Sequence, residues 1–193
     1  IARRGHVPVT LGGEHSISYG AVMGVVDALG PLGLIHVDAH ADFRDAYQGH
    51  KFSHASVMHL LAGEGLPMVS LGVRALSVEE DAARKAHGVI THDARQLMRD
   101  DTHEIRLPED FPKNVYITFD LDGLDPSVLP STGTPVPGGL GFYQALDLVE
   151  SAAHGRNVKG IDVVELAPVS GQPVSNFTAA LISYHLMRIA LDT

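Results

Sequence analysis

Six short runs rich in β-branched and apolar residues recur along the chain, near His6–Leu11, Leu32–Asp38, Met68–Val73, Gly88–Thr91, Val115–Asp120 and Val158–Val164. Between them lie stretches of helical period at Ser16–Leu29, Ser56–Ala62, Val78–Ala86, Ala94–Asp100, Phe142–Ala153 and Asn176–Leu191. Strand and amphipathic helix in alternation are the pattern of a parallel sheet covered by helices on both faces. The expected fold is therefore α/β, a three-layer αβα arrangement around a mostly parallel, doubly wound sheet. Ser77 with Glu80 forms a capping-box pattern, and Ser175 or Asn176 is placed to cap the last helix. No repeat, low-complexity tract or linker divides the chain, so residues 1–193 are expected to form one domain. The stretch from Pro126 to Gly141 is dense in Pro, Gly, Ser and Thr, which predicts a stiffened, shaped loop of functional weight. The chain opens at Ile1 directly into an apolar run, and a segment preceding it is expected.

Two of the strands run into acidic clusters. Leu34-Ile35-His36-Val37 leads into Asp38-Ala39-His40-Ala41-Asp42, with Asp, His and Asp at every second position. In an extended chain that spacing points the three side chains one way. Carboxylates and an imidazole converging at a strand end stay desolvated and mutually repelled unless a cation sits between them, which makes metal binding the economical explanation. Val115-Tyr116-Ile117-Thr118-Phe119 leads in the same manner into Asp120-Leu121-Asp122, followed by Asp125 beside Pro126, where an Asp more often organises a turn. A third element, Leu11-Gly12-Gly13-Glu14-His15-Ser16, uses its glycines for a tight strand-to-helix turn and sets His15 at the helix start. In an open parallel sheet, ligands bind beyond the carboxyl ends of the strands, and all these residues lie there. His15, Asp38, His40, Asp42, Asp120 and Asp122 are six oxygen and nitrogen donors. They are too many for one tetrahedral zinc and suit two divalent ions, Mn²⁺ first and Mg²⁺, Co²⁺ or Zn²⁺ behind it. Two ions ~3.5–4 Å apart acidify a water held between them, which implies metal-dependent hydrolysis.

Composition narrows the chemistry further. The chain has 12 histidines and no cysteine, so thiolate nucleophiles, disulfides, Cys-ligated zinc and iron–sulfur clusters are excluded. Its 23 acidic residues against 14 Lys and Arg give a formal charge of -9, and no basic run exceeds Arg3-Arg4, which argues against nucleic acid. A cationic partner is compatible. No apolar stretch reaches membrane-span length, and a cytoplasmic protein is the expectation. Beyond the six donors, Glu165 ends the last strand with Asp162 near it and is placed to accept a cationic substrate. His54 follows a polar loop and is placed to shuttle protons. His6, His36, His50, His59, His87, His92, His103, His154 and His185 show no ligand spacing and are assigned structural or surface roles.

In these segments the chain resembles the ureohydrolase family, the arginase and agmatinase relatives that hydrolyse guanidino groups to urea and an amine. Gly12-Gly13-Glu14-His15-Ser16, Asp38-Ala39-His40-Ala41-Asp42, Phe119 through Pro126 continuing to Gly138-Gly139, and Asp162-Val163-Val164-Glu165 match four family signatures in the family's order. The resemblance implies that His15, Asp38, Asp42 and Asp120 hold one Mn²⁺ and that Asp38, His40, Asp120 and Asp122 hold the other, with Asp38 and Asp120 bridging. It implies that Glu165 orients the guanidinium and His54 moves a proton or touches substrate. It also implies trimers or hexamers. Departures from the pattern bear on the substrate. Arg44 stands where arginases hold an Asn, and an Asp expected after Gly72-Val73-Arg74 is replaced around Ala75 to Ser77, which disfavours arginine. The segment Phe43 to Tyr47, followed by Phe52 to Ser56, is closer to agmatinase-like prokaryotic members. Hydrolysis of agmatine to putrescine and urea, within polyamine biosynthesis, is the expected activity. Arg44 would instead suit guanidinobutyrate or formiminoglutamate; a zinc deacetylase or a non-catalytic homologue are the remaining readings. Glu14 stands where many members have Asp.

Overall fold

The computed structural model describes residues 1–192. Six strands, β1 (Val9–Leu11), β2 (Gly33–Val37), β3 (Met68–Leu71), β4 (Ile90–His92), β5 (Asn114–Asp120) and β6 (Asn157–Val164), form one sheet in the order β1-β6-β5-β2-β3-β4. Every neighbouring pair is parallel. The helices are α1 (Ile17–Leu29), α2 (Val57–Gly63), α3 (Val78–Ala86), α4 (Ala94–Arg99), α5 (Phe142–Ala153) and α6 (Pro173–Asp192). From β2 the chain moves on to β3 and from the adjacent β5 it moves the opposite way to β6, so the connections diverge between β2 and β5 and leave a crevice at the carboxyl ends of the central strands.

The two sheet faces carry separate apolar cores, as period-two alternation in buried parallel strands requires. On one face Ile35, Val37, Ile117, Phe119 and Ile161 pack with Ala145, Leu148 and Val149 of α5 and with Ile182, Leu186 and Ile189 of α6. On the other, Leu34, Tyr116 and Met68 pack with Val22 and Val25 of α1 and with Val57, Met58 and Leu61 of α2. The expected capping box is present: Ser77 Oγ accepts from Glu80 N at 3.2 Å, and Glu80 Oε2 accepts from Ser77 N at 2.8 Å. Two boundaries differ from expectation by three residues. β1 begins at Val9 rather than His6, and residues 2–4 form a 3-10 turn ahead of it. α6 begins at Pro173, three residues before Asn176, because proline's fixed φ and missing N–H suit a first helical turn. Ser175 is therefore no cap; it is buried and its Oγ accepts from Ser131 N at 3.3 Å, tying the loop after β5 to α6. Among the described residues no helix is long and apolar enough to cross a membrane.

Candidate metal centre

The six donors named from sequence converge at the crevice. His15 is 1% exposed, and its Nδ1 lies 3.2 Å from Asp38 Oδ2, 3.1 Å from Asp42 Oδ2 and 3.2 Å from Asp120 Oδ2. His40 Nδ1 lies 3.4 Å from Asp38 Oδ1 and 3.1 Å from Asp122 Oδ2. Asp38 thus offers one oxygen to each imidazole. Donor atoms of Asp38, His40 and Asp122 all lie within 4.8 Å of one another, as do those of His15, His36 and Asp38.

The local geometry that achieves this is not the extended one expected. β2 ends at Val37, and Asp38 Oδ1 accepts from His40 N at 2.6 Å, folding the chain into an Asx-type turn. Asp42 then takes a left-handed φ of 51°, and its carbonyl receives Met58 N and His59 N of α2. β5 repeats the device: Asp120 Oδ1 accepts from Asp122 N at 2.8 Å and opens a 3-10 turn over Leu121–Gly123. Gly123 is required there, because a Cβ would stand 2.9 Å from Val37 Cγ1 and 3.0 Å from Asp38 N. The two acidic turns consequently pack against each other, and Asp122 Oδ1 accepts from Ala39 N at 3.0 Å. His15 arrives through Gly12 and Gly13, at φ 83° and 89°.

The donor set fits a pair of divalent cations on an observation independent of resemblance. His15 Nδ1 is wholly buried and makes no hydrogen bond of acceptable geometry, although three carboxylate oxygens surround it. Such a nitrogen, flanked by oxygens that are off its bonding direction, is arranged for a third species between them. Electrostatics agree. With no ion between the groups, burial would lower the His15 pKa, yet Asp120, Asp38 and Asp42 hold it well above 6.5. Burial likewise opposes His40, but Asp122 and Asp38 raise it to about 11. Burial and the Asp38 charge push Asp42 up to about 6 and Asp120 well above the carboxylate range. Burial would raise Asp38 too, but the adjacent His15, His36 and His40 imidazoles hold it well below. Their raised values favour the His15 and His40 imidazoles as cations amid the carboxylates.

A pH dependence follows with a definite sign. His40, raised to about 11 from 6.5 in the chelator-stripped fold, stabilises that fold below pH 6.5 and loses the contribution as pH rises toward 11. Asp42, raised to about 6 from 3.8, acts in the same direction between those values. A metal ligand must instead be deprotonated, so metal affinity rises with pH. Melting temperatures with and without added Mn²⁺ should therefore diverge as pH rises. Calorimetry in buffers of different ionisation enthalpy should register proton release on Mn²⁺ uptake; parallel melting curves with no proton release would contradict this electrostatic picture.

The other two named residues line the same cavity of about 580 Å³, together with Glu14, Arg44, Tyr47 and Thr134. Glu165 has a left-handed φ of 67°, its Oε1 accepts from His15 N at 2.7 Å, and its Oε2 stands near Gly133. His54 gives both its backbone N–H (3.0 Å) and its Nδ1 (2.7 Å) to Glu14 Oε1, while Ser16 Oγ donates to the other Glu14 oxygen. The longer Glu side chain thereby links the His15 segment to the His54 loop. Arg44 is half-exposed, lies over the Tyr47 ring at 5.4 Å, and faces Glu80 Oε2 at 3.8 Å.

Some participants carried no mark in the sequence reading. His36, assigned there a structural or surface role, is fully buried with Nε2 3.0 Å from Asp38 Oδ2 and Nδ1 3.1 Å from Ser70 Oγ. The i, i+2 spacing that marked Asp38, His40 and Asp42 extends back to it and was the available signal. Arg74 also had no such mark. Its guanidinium donates to the carbonyls of Gly72, Asp122, Gly123, Leu124 and Val136. Asp125 stands outside the cluster: hydrogen bonds from Ser127, outweighing burial, and from Gly138 and Gly139 hold it down to about 2 and pin the proline-rich loop.

A doubly wound α/β sheet with a carboxylate–imidazole cluster at its topological switch point defines an open-sheet α/β protein with a candidate metal centre. The family is equally definite: the signature of the Arginase family matches residues 1–190, and the chain belongs to that family. It is 42% identical over 183 residues to an N(1)-aminopropylagmatine ureohydrolase of Thermus thermophilus, covering 95% of this chain and 62% of that protein. It is 36% identical over 173 residues to an agmatinase of Pyrococcus horikoshii, covering 90% of this chain and 58% of that one. Among solved structures it is similar to an arginase from Medicago truncatula, with TM-score 0.85 and 33% identity over 95% of this chain and 58% of that one. It is also similar to the agmatine ureohydrolase of Thermoplasma volcanium, with TM-score 0.78 and 31% identity over 96% of this chain and 63% of that one. The chain therefore spans less than two thirds of each of these proteins.

Proposed function

We propose that this chain carries the catalytic centre of a dinuclear manganese ureohydrolase that cleaves a guanidino substrate with a cationic tail, agmatine in the first instance, to urea and an amine. The observation that supports the substrate class most is the charge of the cavity. Two divalent ions would neutralise Asp38, Asp42, Asp120 and Asp122, and the lining would then retain Glu14, Glu80 and Glu165 against Arg44 alone. That leaves a net of about two negative charges, a field that attracts a dication and repels a substrate carboxylate. Arg44 faces Glu80 at 3.8 Å, which offsets the cation that would otherwise suit a guanidino acid.

When bound, the ion pair supplies the positive charge that polarises water at the centre toward hydroxide character near neutral pH. The chain's own groups do the rest. Glu165, with Oε1 committed to His15 N, presents Oε2 to the planar guanidinium, a charge-assisted pairing that sets the carbon over the centre. The water oxygen bonds to that carbon and becomes the urea carbonyl, the bond from carbon to the alkyl nitrogen breaks, and both water protons end on that nitrogen, which leaves as an ammonium. His54, whose Nδ1 is taken by Glu14, retains Nε2 for that proton transfer.

Urea release from agmatine, N(1)-aminopropylagmatine, guanidinobutyrate and arginine, and formamide release from formiminoglutamate, by the Mn²⁺-loaded protein test the reading. Turnover is expected with the two cationic-tailed compounds; a preference for either acid would overturn the charge argument, and no urea or formamide from any compound, with metal bound, would overturn the hydrolase reading. The 42% relative is named for aminopropylagmatine, which makes the longer amine the second substrate to weigh. Glu165→Gln should raise KM for agmatine at least about tenfold, because the guanidinium loses an ionic partner worth on the order of 1.5–3 kcal/mol, with metal content unchanged.

A further inference from the structure

One rung below the acidic turns, the sheet carries a row of polar residues side by side. Strand register pairs Thr10 with Asp162, Asp162 with Thr118, Thr118 with His36 and His36 with Ser70, so the row crosses β1, β6, β5, β2 and β3. It lies on the face otherwise filled by Leu34, Tyr116 and the apolar sides of α1 and α2. Polar groups buried in such a layer are costly unless they pair. Asp162 is fully buried, and its Oδ1 accepts from Thr118 Oγ1 at 2.7 Å. The single hydroxyl proton of Thr118 is thereby used. Thr118 Oγ1 can then only accept from its other neighbour, His15 Nε2 at 2.9 Å, so that nitrogen carries a hydrogen. The Nδ1 of the same ring is the one surrounded by Asp38, Asp42 and Asp120.

We infer that Thr118 and Asp162 are positioning residues which hold His15 as its Nε2–H tautomer, turn its Nδ1 lone pair onto the three aspartates, and so set the affinity of the metal ion on that side of the centre. The inference rests on the reading of the cluster as a metal-pair site. It assigns to the row a task distinct from that of the ligands: when the imidazole gives up a proton to a metal, the hydrogen-bond direction decides which nitrogen gives it up. Glu165 holds the same residue by its backbone N–H, so β5 and β6 fix His15 at ring and main chain together.

Thr118→Val removes the hydroxyl at nearly constant shape, Thr118→Ser retains it, and Asp162→Asn weakens the acceptor. Each chelator-stripped protein is titrated with Mn²⁺, free ion is counted by electron paramagnetic resonance, and a thermal melt confirms that the variant is folded. T118V and D162N should bind one ion of the pair about 10–100-fold more weakly and the other as the unaltered protein does, and T118S should restore the pair. Unaltered affinity for both ions, or an equal loss of both, in a folded T118V or D162N overturns the inference. An unaltered protein that takes up no pair of ions overturns the metal-centre reading itself.

Discussion

Asp120→Asn should lower urea release by at least about 10³-fold, equivalent to roughly 4 kcal/mol of lost transition-state stabilisation. Asp120 reaches His15 Nδ1 through Oδ2 and caps the following turn through Oδ1, which accepts from Asp122 N. Asparagine keeps the cap because its carbonyl oxygen also accepts. It removes the negative charge and one oxygen donor at the position proposed to bridge both ions. The fold should consequently survive, and the chelator-stripped variant should melt no lower than the unaltered protein. The reason is that burial and the charge of Asp38 already disfavour an ionised Asp120 there. Losing activity while retaining stability separates a ligand from a structural residue. His185→Gln is the control: that ring stacks edge-on with Phe142 and Tyr184, away from the cluster, and turnover should be nearly intact. Comparable losses in both variants would contradict the assignment of the centre.

Arg74→Ala should have the largest effect on stability, about 3–5 kcal/mol by denaturant unfolding, with loss of metal at the His40 side. One guanidinium organises two loops: it donates to the carbonyls of Asp122, Gly123 and Leu124 in the turn after β5 and to Val136 in the proline-rich loop, while also holding Gly72 after β3. Gly139 lies so close that a Cβ there would stand 2.5 Å from Arg74 Nη2. Removing the fork leaves five carbonyls to find water in a space closed by that loop, and Asp122 loses the frame that aims it at His40. Arg74→Lys should recover only part, since an ammonium has three donors and no planar fork. If R74A unfolds at the same denaturant concentration as the unaltered protein and keeps both ions, the proposed role in framing the turn fails.

The legible part of the fold was local. Alternating apolar runs and helical stretches marked all six strands and six helices, and the Ser77 and Glu80 pair marked α3 with correct bounds. The start of α6 was misplaced because the serine and asparagine cap signals at 175 and 176 compete with Pro173, and proline at the first turn prevailed. Within the site, the i, i+2 spacing identified Asp38, His40, Asp42, Asp120 and Asp122 as neighbours. Their closeness comes not from an extended strand but from turns in which Asp38 and Asp120 accept the backbone N–H of the residue two positions on. Arg44 illustrates the limit of reading a charge alone, since the glutamate that faces it across 3.8 Å lies 36 residues along the chain.

By itself, then, the sequence determined which segments end in donors and that those ends share one edge of a parallel sheet, because apolar periodicity and turn chemistry are properties of neighbouring residues. Only the tertiary structure decided how the donors meet. His15 is separated from Thr118 by 103 residues and Thr118 from Asp162 by 44, and the register between β5, β6 and β2 brings them into one hydrogen-bonded row. Strand register is set by packing on both faces at once, so the partner of an imidazole, the proton it keeps and the frame around Asp122 appear only when the whole sheet is assembled.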